Sequence, residues 1–144
     1  MTTAVQVAVE AARTAGRIQS EYIGNIGDIS EKGGVRGDVV TEVDLLCEKE
    51  IIDRIQKSFP GHTILAEESG GTQGDAKNKW IIDPLDGTLN YSHGFPCYCV
   101  SIGLECEGEL VVGVIYNPNL DELFVAEKGQ GATLNGRPIR VSTI

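Results

Sequence analysis

Residues 79–96 read KWIIDPLDGTLNYSHGFP, and the rest of the chain is organised around them. Trp80, Ile81 and Ile82 form a short apolar run of strand-favouring residues. It stops at Asp83-Pro84, and a second carboxylate follows at Asp86, with Gly87 and Thr88 beyond. A strand end holds its backbone rigid while the following loop presents side chains, so it is a good place for chemistry. Two carboxylates on a turn stiffened by Pro84 and relaxed by Gly87 can reach one hard cation or an adjacent pair. A cation there would relieve their repulsion. The amides near Gly87 and Thr88 add a candidate anion nest. Asp-Pro and Asp-Gly are also ordinary turn formers. By its own chemistry, then, the segment is either a plain turn or a metal or phosphate site.

The bulk properties narrow the class. A chain of 144 residues with 41% hydrophobic and 23% charged residues has room for one modest core. Its formal charge of −9 argues against a nucleic-acid surface, which needs a basic footprint. An acidic balance still allows phosphorylated small molecules, because a bound cation inverts the local sign. The sequence shows no apolar run of membrane-spanning length and no leader-like segment, which makes the cytoplasm the expected location and membrane partners unexpected. Cys47, Cys97, Cys99 and Cys106 contain no zinc-like pair and are expected as reduced, mostly packed thiols. Asn90-Tyr91-Ser92 matches the glycosylation pattern only formally.

Periodicity predicts a helix from Thr3 to about Tyr22, with Val5, Ala8, Val9, Ala12, Ala15 and Gln19 near one face. Its many small residues imply close packing. A glycine-punctuated loop is expected from Gly24 to near Asp38. A second helix is predicted over Thr41 to Ser58, capped by Thr41 with Asp44 at the reciprocal capping position. Leu45, Ile51, Ile52, Ile55 and Phe59 are its expected buried stripe, and Pro60-Gly61 ends it. His62 to Ala66 is a short strand candidate closed by Glu67-Glu68-Ser69. That adjacent carboxylate pair is either an ordinary surface pair or one that awaits a cation. Strands are predicted over Cys97 to Cys106, Leu110 to Tyr116, Glu122 to Glu127, Ala132 to Leu134 and Ile139 to Val141, joined as antiparallel hairpins. Helices followed by a meander argue for an α+β or layered fold.

These segments also resemble a known family. WIIDPLDGTLNYSHGFP resembles the signature of the inositol monophosphatases, usually DP-(I/L)-DGTTNF followed by HxFP. GDVVTEVD at Gly37 to Asp44 resembles the family's D-x-VTxxD segment, and LAEES at Leu65 to Ser69 its GEES segment. The run from Val100 to Ser142 resembles the sheet that follows. Ala66 stands where the family usually has glycine, and Leu89 where it commonly has a second threonine, for which a local packing change is expected.

The resemblance implies paired N-terminal helices on a mostly antiparallel sheet, a layered sugar-phosphatase-like α+β fold, incomplete at its C-terminal end. Residues 1–144 would then be the N-terminal part of a catalytic domain. It implies hydrolysis of a phosphate monoester by a magnesium-activated water with no covalent intermediate, and sensitivity to lithium. Glu67, Asp83 and the Leu85 carbonyl would hold a first magnesium ion, and Asp83 and Asp86 a second. Asp44 would hydrogen-bond Thr88, which with Glu67 serves catalysis, while the backbone at Gly87 and Thr88 holds phosphate. Glu68 would be an outer partner, Lys32 or Arg36 would approach the phosphate, and His93 would have a structural role. The implied substrate is inositol monophosphate. Relatives act on nucleotide bisphosphates, sugar bisphosphates such as fructose bisphosphate, histidinol phosphate and NADP. A non-catalytic regulator is the alternative of a different class. The family pattern continues for about as many residues again, with a further metal-binding aspartate. The 144-residue chain alone is therefore expected to be weak or inactive, and the full-length protein a homodimer.

Overall fold

Apolar side chains recur at every second position in Val100, Ile102 and Leu104, and again in Val112, Val114 and Tyr116. Each strand thereby gains one face that excludes water. The computed structural model describes residues 3–23 and 36–144 and joins these strands into a seven-stranded sheet. Its members are β1 (His62–Ala66), β2 (Asp75–Asp86), β3 (Cys99–Cys106), β4 (Glu109–Asn117), β5 (Glu122–Glu127), β6 (Gly131–Leu134) and β7 (Arg137–Ile139), in sequence order. Every neighbouring pair is antiparallel except β1 and β2, which run parallel. Helices α1 (Ala4–Ile23) and α2 (Arg36–Ser58) pack on each other and on one face of the sheet. A short helix, α3 (Thr88–Ser92), leaves the end of β2. The fold is α+β, with paired helices on a mostly antiparallel sheet, as the sequence predicts.

Small residues let α1 approach closely. Ala8, Ala11, Ala12 and Ala15 are fully buried, and a Cβ added at Gly16 would stand 2.5 Å from the Tyr116 ring. The buried face is turned slightly from the predicted one: Val7 and Ala11 lie inside, while Val5 and Val9 are only partly buried. Trp80 is fully buried and anchors β2. Its Nε1 donates to His62 Nδ1 at 3.0 Å, and the His62 ring stacks on Phe59 at 4.8 Å between centroids. The end of α2 and the start of β1 are thereby tied to the middle of β2. The opposite sheet face carries Leu65, Ile81, Leu110 and Ile115, all exposed.

Several boundaries differ from expectation. α2 begins by Arg36, so Thr41 and Asp44 lie inside it and do not cap it. Its buried stripe is Val43, Cys47, Ile51 and Ile55, with Leu45 half exposed. Of the predicted glycine-rich loop, residues 24–35 lie outside the described residues and 36–38 are helical. β3 starts at Cys99 and not at Cys97, because the chain first turns through α3. Leu89 makes no core contact to repack, being 73% exposed. The four cysteines are free thiols: Cys47 is buried, Cys99 and Cys106 are partly buried, and Cys97 is exposed. Among the described residues, no helix is long and apolar enough to cross a membrane.

The close approach at Gly16 gives a direct test. Gly16→Val should destabilise the chain by about 1–3 kcal/mol, since overpacking against a fixed ring outweighs the helix-propensity gain over glycine. Urea unfolding monitored by circular dichroism would measure it. An unchanged midpoint would contradict the packing.

Candidate functional site

The carboxylates are assembled by strand register. β1 and β2 pair in parallel with Leu65 beside Ile81 and Ala66 beside Ile82. One step further along both strands brings Glu67 beside Asp83. Their carboxyls hydrogen-bond each other. Asp83 and Asp86 are three residues apart, which in a regular strand would place them on opposite faces. A bulge lies between them: Asp83 pairs with Ser101 and Asp86 with Cys99, so three steps on β2 match two on β3. The extra residue restores both carboxylates to one side of the strand, with Pro84 and Leu85 buried between them.

The backbone turn beyond Asp86 is held from several directions. Gly87 has φ 98°, a left-handed conformation, and a Cβ there would meet the Cys97 carbonyl oxygen at 2.8 Å. Only glycine fits. No side chain caps α3 at Gly87, which leaves its first amides without a side-chain acceptor. Tyr91 is buried and its hydroxyl donates to the Gln19 carbonyl at 2.8 Å. Gln19, buried on α1, donates from Nε2 to the Pro84 carbonyl at 2.8 Å. His93 ends α3 and its Nδ1 lies 2.9 Å from the Leu89 carbonyl oxygen.

Charge is concentrated here. Burial, then the charges of Glu68, Glu67, Asp83 and Glu48, raise the Asp44 carboxyl to about 7. Asp83 is also raised to about 7, first by burial, then by its bond to Glu67 and the charges of Glu67 and Asp86. Burial and the charges of Asp86 and Asp83 push the Cys99 thiol up to about 11. Each shift follows from negative groups held close together with little water.

The predicted site residues therefore converge, with differences in detail. Glu67, Asp83, Asp86 and Asp44 share one neighbourhood. The Thr88 hydroxyl donates to the Leu85 carbonyl at 3.2 Å. It does not take the Asp44 partner that the resemblance implies. Lys32 lies outside the described residues, as does the side chain of Arg36. Two contributors have no sequence signal of their own. Gln19 reads as one more residue on a helix face, and Glu48 as a surface charge, yet Glu48 is 2% exposed. Its position four residues after Asp44, on the same helix face, is the only hint.

Carboxylates and one carbonyl are hard oxygen donors, the chemistry that suits a hard divalent cation. Among the described residues no group of three or more His, Cys, Asp or Glu side chains is placed closely enough to hold a metal ion by itself.

The fold and its acidic strand end define a class: a layered α+β protein with several carboxyls held close together at one strand end. A model of the inositol monophosphatase family matches residues 1–143, and the chain belongs to that family. It is 49% identical over 144 residues to inositol monophosphatase 2 of Solanum lycopersicum, covering 96% of this chain and 54% of that protein. It is 45% identical over 142 residues to Nus factor SuhB of Escherichia coli, covering 96% and 52%. Among solved structures, inositol monophosphatase from Anabaena superposes with a TM-score of 0.83 at 44% identity, covering 97% of this chain and 50% of that one. The suhB extragenic suppressor protein from Bartonella henselae gives 0.85 at 43%, covering 96% and 53%. The chain spans about half the length of the curated relatives it matches.

The raised carboxyls set a pH dependence. Between about pH 4 and pH 7 the folded, metal-free chain keeps protons on Asp44 and Asp83 that the unfolded chain has released. Stability should therefore fall as pH rises through that window, on the order of 2–4 kcal/mol in total. Urea midpoints at pH 5 and pH 8 in excess chelator would show it. The Asp44→Asn, Asp83→Asn double variant should flatten the profile.

Proposed function

We propose that these residues form the N-terminal part of a catalytic domain for magnesium-dependent hydrolysis of a small phosphate monoester, most specifically inositol monophosphate. The observation that carries this reading is the pairing of Glu67 with Asp83 at adjoining strand ends, with Asp86 returned to their side by the bulge. When bound, magnesium supplies Lewis acidity that acidifies water and offsets charge on the phosphate and the leaving oxygen. Glu67, Asp83, Asp86 and the Leu85 carbonyl are the residues that would hold it. Thr88 presents a hydroxyl next to the Gly87 turn, where it orients water, and the Gly87 and Thr88 amides receive the phosphate. Asp44 belongs to the same cluster, its carboxyl raised by burial and by the neighbouring Glu68, Glu67 and Asp83. The product pair is the alcohol and inorganic phosphate, with no covalent intermediate on the chain.

A cytoplasmic homodimer acting on a phosphorylated polyol, and inhibited by lithium, is the form of the complete protein that this reading implies. A regulatory role is the second reading. It is favoured by relatives named Nus factor SuhB at 41–45% identity. Both Asp83 and Asp86 are present in this chain, which supports chemistry as the first reading.

Release of phosphate from inositol 1-phosphate tests the proposal, measured with and without magnesium and with added lithium. The 144-residue chain should turn over at least about 100-fold more slowly than a full-length protein carrying it, because a missing ligand costs both metal affinity and transition-state charge stabilisation. Asp86→Asn should abolish the magnesium-dependent rate of the full-length protein. Magnesium-independent turnover unaffected by Asp86→Asn would sink this function.

A further inference from the structure

We propose that Glu48 is a positioning residue: a buried two-point clamp on the Glu67–Ser69 turn that holds Glu67 beside Asp83 for a hard divalent cation. This rests on the metal reading of the site given above. Glu48 lies in the middle of α2 and is 2% exposed. Its Oε2 accepts from the Glu68 amide and its Oε1 from the Ser69 amide, both at 2.9 Å. Burying a carboxylate is costly unless its oxygens are matched by donors, and two amides supply that match with charge-assisted bonds.

The clamp acts on direction. Glu67 itself is exposed, and its backbone leaves β1 at Ala66 without further strand pairing. The backbone closes the turn through the Gly70 amide on the Ala66 carbonyl at 3.1 Å and, further out, the paired Ile64–Thr72 bonds at 2.8 Å, none of which engages the Glu68 or Ser69 amides. Glu48 adds the two bonds that fix the next two peptide planes, and it stands on a helix whose Val43, Cys47 and Ile51 are buried in the core. Because both of its oxygens face amides, Glu48 is not a ligand for the cation. A glutamine in its place keeps the shape, but it offers one acceptor and sets an NH₂ group against a backbone N–H.

Magnesium titration calorimetry on the chain, with Glu48→Gln and the surface control Glu50→Gln, tests the clamp. Amide hydrogen exchange at Glu68 and Ser69 gives a metal-free readout. Glu48→Gln should weaken magnesium binding about tenfold or more and speed exchange at both amides, while Glu50→Gln changes neither. Glu48→Asp keeps the charge but loses reach, should fall between, and serves if Glu48→Gln does not fold. A merely structural role would lower the melting temperature and leave the affinity of the folded chain unchanged, and that result would overturn the clamp. Protected amides with no magnesium binding by either the wild-type chain or a full-length protein carrying it would overturn the metal reading itself, and the clamp's role in it.

Discussion

Everything at this site depends on one backbone register. β1 and β2 run parallel with Ala66 beside Ile82, and the next residue on each strand is a carboxylate. Shifting either strand by one residue would turn Glu67 away from Asp83, because strand side chains alternate faces. The register is secured from inside by Trp80, bonded to His62 and flanked by Phe59. The bulge after Asp83 does the remaining work by bringing Asp86 to the same side.

Holding several negative groups together opposes folding, and the structure meets that cost in two ways. Each oxygen of Glu48 is met by an amide donor. Asp44 and Asp83 have no such donors in sufficient number, and they remain raised to about 7. They are matched either by protons or by a cation. Stability and ligand affinity are thereby linked through the same carboxyls, as expected where a site is built on unfavourable charge.

The two long helices act on the two strand ends separately. Gln19 on α1 bonds the Pro84 carbonyl and receives the Tyr91 hydroxyl on its own carbonyl, which supports the Asp83–Asp86 turn. Glu48 on α2 supports the Glu67–Ser69 turn. Because α1 and α2 pack on each other, with the Cys47 thiol donating to the Ala15 carbonyl, the distance between the two turns is set by the helix pair as well as by the sheet. The opposite sheet face, with Leu65, Ile81 and Ile115 exposed, takes no part in this support.

By itself the sequence determined the local elements: α1, the five-residue β1, the hairpins around Asn135-Gly136, and the candidate carboxylates Glu67, Asp83 and Asp86. Those follow from periodicity, turn chemistry and motif order, which act over a few residues. Thr41 was legible as a cap only in isolation, since nothing local shows that the helix already starts by Arg36. The parallel pairing of β1 with β2, the bulge, the burial of Glu48 and the partners of Gln19 were decided by the tertiary structure alone. Each depends on partners 13 or more residues away, and a charged or amide side chain shows no sign in sequence of the distant amides or carbonyls that make its burial tolerable.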